Sequence, residues 1–163
     1  MNDDATLHFF CGKMAAGKST LARRLAERHG AVLLEEDHFL ARLFPGQVHG
    51  IADYVALSAR IKDALSAPIV QLLANGSSVV LDFPGNTRNQ RAWFRQLLEQ
   101  SGAAHELHFL DVADAVCKRQ LRQRCDGLPD GAPFTTEAEF DALGRYFDPP
   151  ADDECFTVVR HVG

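Results

Sequence analysis

The chain reads as an α/β domain built on a mainly parallel sheet, and three observations predict it. Short β-branched or apolar runs alternate with longer helical stretches along the 163 residues, the pattern that strands joined by crossover helices produce. Glycine, proline and asparagine sit where those stretches should end, as at Gly30, Pro45-Gly46 and Pro84-Gly85-Asn86. The length, with 46% hydrophobic and 24% charged residues, suits one domain with its own core over residues 1–163.

Thr6 to Phe10 is the first expected strand, followed by a glycine-bounded loop. A helix then runs from Lys18 to Arg28, with Leu21, Ala22, Leu25 and Ala26 at helical spacing. Ala31 to Leu34 is a short second strand, and Asp37 to Leu43 forms a helical turn that Pro45-Gly46 terminates. Ile51 to Ala74 is helical in composition. Pro68 lacks the amide hydrogen and disfavours helix in the residue before it, so Ser66-Ala67-Pro68 predicts two helices there.

Ser78 to Leu81 is a buried strand that delivers Asp82. Thr87 to Gln100 is an amphipathic helix, with Trp93, Phe94, Leu97 and Leu98 as its buried stripe. Glu106 to Leu110 is the fourth strand, ending at Asp111, and Val112 to Arg124 is helical. Asp126 to Pro133 is rich in glycine, proline and aspartate and predicts a mobile loop. A helix from Thr136 to Tyr146 and a fifth strand from Phe156 to Val159 complete the pattern.

Composition narrows the function. A net charge of −5 argues against a surface built to coat nucleic acid. No apolar run reaches the roughly 20 residues needed to cross a bilayer, and Met1 to Asp4 are polar and acidic, so a cytoplasmic protein with no membrane partner is expected. Cys11, Cys117, Cys125 and Cys155 form no CxxC pair, which predicts reduced thiols and neither a disulfide framework nor a structural zinc. His105 and His108 flank or enter a strand at odd spacing, and no metal site is expected of them.

The chemistry concentrates in Gly12-Lys13-Met14-Ala15-Ala16-Gly17-Lys18-Ser19, which fits G-x-x-x-x-G-K-[ST] between an expected strand and an expected helix. Glycines let such a loop curl until consecutive N–H groups point at a β-phosphate, and the helix N-terminus adds positive partial charge. Lys18 would bridge β- and γ-phosphates, Ser19 would ligand Mg²⁺, and Thr20 would contact an α-phosphate.

With this loop, Asp37, Asp82, the arginines before the glycine-rich loop, and the tail Phe147-Asp148-Pro149-Pro150 through Phe156, the chain resembles a branch of P-loop kinases. That branch includes polynucleotide kinase, zeta toxin and chloramphenicol phosphotransferase, with many AAA-type ATP-binding proteins. The resemblance covers nearly the whole chain. It implies a P-loop NTPase three-layer sandwich, five strands ordered 2-3-1-4-5 with helices on both faces, and a lid at about 119–134.

The resemblance also implies roles. Asp37 matches the aspartate that accepts the proton of an attacking hydroxyl, and Arg124, then Arg122 or Arg119, match cations of the lid. Asp82 stands where an acid orients Mg²⁺ or its waters. Each has a plainer reading in the sequence. Glu35, Glu36 and Asp37 suit a solvated helix N-terminus, Asp82 a turn, and Lys118, Arg119, Arg122 and Arg124 a cationic helix C-terminus. Arg42 falls off the Asp37 face of a regular helix, and His38 reads better as a cleft-lining or partly exposed histidine than as a base.

Where polynucleotide-kinase-like relatives carry Thr-Asn-type residues near the acceptor, this chain has Phe83-Pro84-Gly85-Asn86, followed by Arg88 and Arg91 one turn apart. The expected activity is therefore ATP- and Mg²⁺-dependent transfer of the γ-phosphate to a hydroxyl of a small-molecule or nucleotide-like acceptor. Its acceptor pocket falls between Phe39 and Leu73. A 5′-hydroxyl of RNA or DNA ranks below a small molecule, and the competing class is a nucleotide-binding or hydrolysing regulator without an acceptor.

Overall fold

The computed structural model describes residues 5–128 and 135–163. Five strands form one sheet: β1 (Thr6–Cys11), β2 (Val32–Glu35), β3 (Val79–Asp82), β4 (Ala104–Asp111) and β5 (Val158–Val162). Their order is β2-β3-β1-β4-β5 and every pairing is parallel, the topology that the resemblance implied. The connecting helices are α1 (Lys18–His29), α2 (Glu36–Leu43), α3 (Ile51–Ala74), α4 (Arg88–Ser101), α5 (Asp114–Arg124) and α6 (Glu137–Gly144).

Because side chains alternate along a strand, each face of the sheet builds its own core. Leu7, Phe9, Val79, Leu81 and Leu107 pack against α3 and α4, where Ile61, Ile69, Phe94 and Leu97 are buried. Phe10, Val80 and Leu110 face the other way onto Ala22 and Leu25 of α1, Leu121 of α5 and Phe140 of α6. The stripe Trp93, Phe94, Leu97 and Leu98 is buried as its spacing predicts.

One helical expectation is overturned. Residues Ile51–Ala74 form a single helix with Pro68 inside it, not two helices. A mid-helix proline costs about 3 kcal/mol, but Leu57, Ile61, Ile69 and Leu73 are buried at four-residue spacing on both sides of it. Each such side chain contributes about 1.5–3 kcal/mol on burial, so a continuous stripe against the sheet outweighs the local defect. Trp93 Nε1 donates to Ser66 Oγ at 2.9 Å and Ser66 Oγ donates to the Lys62 carbonyl at 2.6 Å, tying the turn before Pro68 to α4.

Strand ends move by one to three residues, most at β5. Phe156 stays outside the strand because its ring packs edge-on against Phe9 at 5.4 Å and under the Arg95 guanidinium at 4.4 Å. Of the expected lid and loop, residues 129–134 lie outside the described residues. Among the described residues, no helix is long and apolar enough to cross a membrane.

Candidate active site

In a parallel sheet the loops after the strands gather on one rim, and a crevice opens where neighbouring connections leave on opposite faces. Here β1 lies between β3 and β4, and a cavity of about 1110 Å³ opens at that rim. Lys13 to Ser19 of the Gly12–Ser19 loop line it. Gly17 sits at φ +105°, a conformation that favours glycine, and caps α1 so that the helix N-terminus opens into the loop.

Gly85 serves the same loop from outside. A Cβ there would stand 2.4 Å from the Phe10 carbonyl oxygen and 2.9 Å from Phe94 Cε2, so only glycine lets the turn after β3 lie on β1. The next residue then reaches the loop: Gly12 N–H donates to Asn86 Oδ1 at 2.8 Å. A capping box at the start of α4 holds Asn86 in turn, with Gln90 Oε1 accepting from Asn86 N–H at 2.8 Å and Thr87 N–H at 3.2 Å. The signal for this was present as Thr-x-x-Gln before an amphipathic run.

Lys18 is partly buried and donates to the carbonyls of Gly12 and, at 3.2 Å, Lys13. Burial lowers its pKa, while the Asp82 charge opposes that shift. Asp82 is pushed the other way: burial raises its pKa, and a hydrogen bond from Ser19 Oγ at 2.7 Å opposes the rise. Ser19 and Asp82 thus place two hard oxygen donors side by side. Mg²⁺ takes such donors at about 2.0–2.1 Å, which sets neighbouring ligands of an octahedron about 2.9 Å apart, so the pair fits that ion.

Asp37 is exposed and lines the same cavity, near enough for its charge to raise Asp82. Its neighbour Glu36 is 2% exposed. The Glu36 carboxylate accepts from the Tyr54 hydroxyl and from Ser58 Oγ at 2.7 Å, which pins α2 to α3 and holds Asp37 over the rim. Burial raises the pKa of Glu36, and both hydroxyl bonds oppose that rise.

Of the expected lid cations, Arg124 is exposed and lines the cavity, and its charge helps to lower Lys18. Arg122 and Arg119 do not line it. Arg122 pairs with Glu137 at 3.0 Å and Lys118 with Asp141 at 3.0 Å, both joining α5 to α6. Arg42 and His38 also lie away from the cavity lining. Arg91 is wholly buried, paired with Glu154 at 2.7 Å and donating to the carbonyls of Gly85 and Asp148 at 2.9 and 2.7 Å. It anchors the tail to the turn that holds Asn86.

Sequence reasoning assigned no site role to several residues that line the cavity: Arg23, Arg24, Gln90, Phe140, Tyr146 and Phe147. Lys13 of the loop stands 5.3 Å from the Phe147 ring centroid and pairs with Asp114 at 2.9 Å. The buried Cys11 thiol is pushed up to about 11 by its burial, which keeps it protonated and inert beside the site.

A comparison with the curated proteins finds no match. Among solved structures, a candidate kinase from Chloroflexus aurantiacus superposes with a TM-score of 0.74 at 18% identity, over 97% of this chain and 88% of that one. The Mycobacterium tuberculosis APS kinase CysC, solved with AMPPNP and APS, gives a TM-score of 0.63 at 20% identity over 97% and 88%. A gluconokinase from Sinorhizobium meliloti gives 0.59 at 15% identity over 97% and 83%. These likenesses establish the shared fold. Residues 7–150 match the AAA domain family model, a span that runs from β1 through the phosphate loop, Asp37 and Asp82 into the tail after α6, and the chain belongs to that family.

Proposed function

We propose that this chain is an ATP- and Mg²⁺-dependent phosphotransferase that moves the γ-phosphate onto a hydroxyl of a small-molecule acceptor, within the P-loop kinase branch of the resemblance and in the cytoplasm. One observation carries the reading: Lys18, the Ser19–Asp82 pair, Asp37 and Arg124 line a single cavity at the rim of the sheet. Phosphoryl transfer asks for in-line positioning and charge neutralisation more than for covalent help.

The loop N–H groups and the N-terminus of α1 hold the β-phosphate, and Lys18 spans to the γ-phosphate. Ser19 and Asp82 would hold Mg²⁺, which would neutralise part of the polyphosphate charge. The Asp37 carboxylate takes the acceptor's hydroxyl proton as that oxygen bonds to the γ-phosphorus and the bond from phosphorus to the bridging oxygen breaks, leaving ADP. Arg124 meets the charge spread over the equatorial oxygens with paired N–H donors. Arg122 and Arg119 belong to the lid's positive field.

A small acceptor agrees with the concave cavity and with the net charge of −5, which disfavours a nucleic-acid strand. It agrees also with the small-molecule kinases that share the fold, one of them solved with a nucleotide analogue and APS together. The test is transfer from γ-labelled ATP with Mg²⁺ to a panel of sugars, nucleosides, antibiotics and 5′-hydroxyl oligonucleotides. Label is expected on a small acceptor and absent with Asp37→Asn and Lys18→Ala. If ATP binds through Lys18 but nothing is labelled, and Asp37→Asn hydrolyses ATP as the wild type does, the chain is a nucleotide-state regulator instead.

A further inference from the structure

A second polar cluster lies outside this cavity, on the sheet face that α1 and α5 cover. His8 of β1 stands opposite Glu106 of β4, and on the same face Phe10 stands opposite His108 and Leu110 opposite His161 of β5. The histidines therefore step diagonally across three adjacent strands. His8 and His108 are buried at 3% and 2%, whereas the Glu106 side chain is 42% exposed and gives access from solvent.

Three ligand-type atoms converge there. His8 Nδ1 and His108 Nε2 are 3.1 Å apart, and Glu106 Oε2 lies 3.5 Å from the first and 3.4 Å from the second. Zinc holds imidazole nitrogen and carboxylate oxygen at about 2.0–2.2 Å in a tetrahedron, which sets ligand atoms about 3.3–3.5 Å apart. The two sides to Glu106 have that length, and the imidazole–imidazole side, at 3.1 Å, would open by a few tenths of an ångström around the ion. His161 Nε2 stands 3.0 Å from His108 Nδ1. When Nδ1–H donates to it, the lone pair of His108 Nε2 is turned into the triangle, the usual office of a partner behind a metal-bound imidazole. A cavity of about 390 Å³, lined by Thr6, His8, His29, Ser78 and Glu106, adjoins the cluster and leaves room for a fourth, exchangeable ligand.

We infer that His8, Glu106 and His108 form a binding site for a zinc-class divalent transition metal, with three protein ligands and one open position. Two imidazoles with one carboxylate select Zn²⁺, Co²⁺ or Ni²⁺ over Mg²⁺, whose all-oxygen preference suits the Ser19–Asp82 pair instead. Bound there, the ion clamps β1 to β4 and, through His161, engages β5. The histidine spacing predicted no such site, because its ligands come from strands about 100 residues apart in sequence.

The test is titration of the whole chain with Co²⁺, followed by visible absorption, and with Zn²⁺ in competition with a chromophoric chelator. One equivalent of Co²⁺ with the bands of four-coordinate geometry is expected, displaced by Zn²⁺. Glu106→Gln, at a half-exposed position, should weaken Zn²⁺ at least about tenfold, and His108→Asn should abolish the cobalt bands. His161→Asn should weaken binding about tenfold while keeping the bands. His105→Asn and Asp82→Asn should change neither. Absence of cobalt bands in the wild type, or Glu106→Gln binding Zn²⁺ as the wild type does, overturns the site and leaves a hydrogen-bonded relay of imidazoles. If His108→Asn fails to fold by circular dichroism, the Glu106→Gln result decides alone.

Discussion

Two regions of one sheet handle buried polarity in opposite ways. At the C-terminal rim the groups are charged and of mixed sign: Lys18 and Asp82 shift each other back toward their charged forms, Ser19 bonds Asp82 at 2.7 Å, and Asp37 faces the same cavity. Further back in the sheet, on β1, β4 and β5, the groups are imidazoles paired with each other at 3.0 and 3.1 Å, with one carboxylate beside them. His8 precedes Gly12 by four residues, roughly 13 Å along an extended chain. Oxygen donors with a cation suit a polyphosphate and a hard ion, whereas imidazoles suit a softer one, so the two regions differ in donor chemistry as well as in burial.

Variants at the rim should have the largest effects and leave the histidine region untouched. Asp37→Asn is expected to lower the turnover number by about 10²–10⁴, with ATP affinity by calorimetry and zinc affinity both unchanged. Lys18→Ala should lower kcat/KM by about 10²–10³, and unlike Asp37→Asn it should weaken ATP binding. A loss of zinc binding in either variant would break the separation.

Gly85→Ala tests the turn that supports the rim. Its Cβ meets the Phe10 carbonyl, so destabilisation of about 1–3 kcal/mol is expected in urea unfolding, with nucleotide affinity reduced because Asn86 no longer holds Gly12.

The histidine region should declare itself through pH. Burial pushes His108 down to about 4, and the charges of His8, His161 and His29 push it the same way. The Glu106 carboxylate also faces it, at 3.4 Å. A depressed histidine is neutral in the fold, so its contribution is full above its unfolded value near 6.5 and is lost as pH falls toward 4. With chelator present, unfolding between pH 7 and pH 4.5 should therefore show falling stability in the wild type. The decline should be shallower in His108→Asn, with no such difference for Asp37→Asn.

The smallest effect is expected between α5 and α6. The Arg122–Glu137 pair is exposed on both sides, and such pairs are worth about 0.2–1 kcal/mol. Arg122→Ala should leave stability within about 0.5 kcal/mol and transfer activity little changed, whereas Arg124→Ala should lower activity. Equal losses in both variants would mean that the lid acts through its total charge.

Local sequence determined the strand order's raw material and the phosphate loop. A loop bounded by Gly12 and Gly17 between an apolar strand and a helix has few backbone solutions, and Gly17 at φ +105° adopts one that needs glycine. The stripe Trp93, Phe94, Leu97 and Leu98 was likewise legible because its period is local. Pro68 misled for the same reason. Its effect on the neighbouring residues is local, while the burial at Ile61, Ile69 and Leu73 that overrides it depends on a sheet assembled elsewhere.

Tertiary structure alone decided which polar groups meet. Glu36 finds Tyr54 and Ser58 only when α2 packs on α3, and Asn86 finds Gly12 only when Gly85 lets the turn lie on β1. His8, Glu106 and His108 become neighbours through the parallel register of β1 on β4. Spacing within a segment encodes the backbone conformation that its own sterics permit. Pairing between distant segments is set by the register and packing of the whole sheet, which no single stretch of sequence contains.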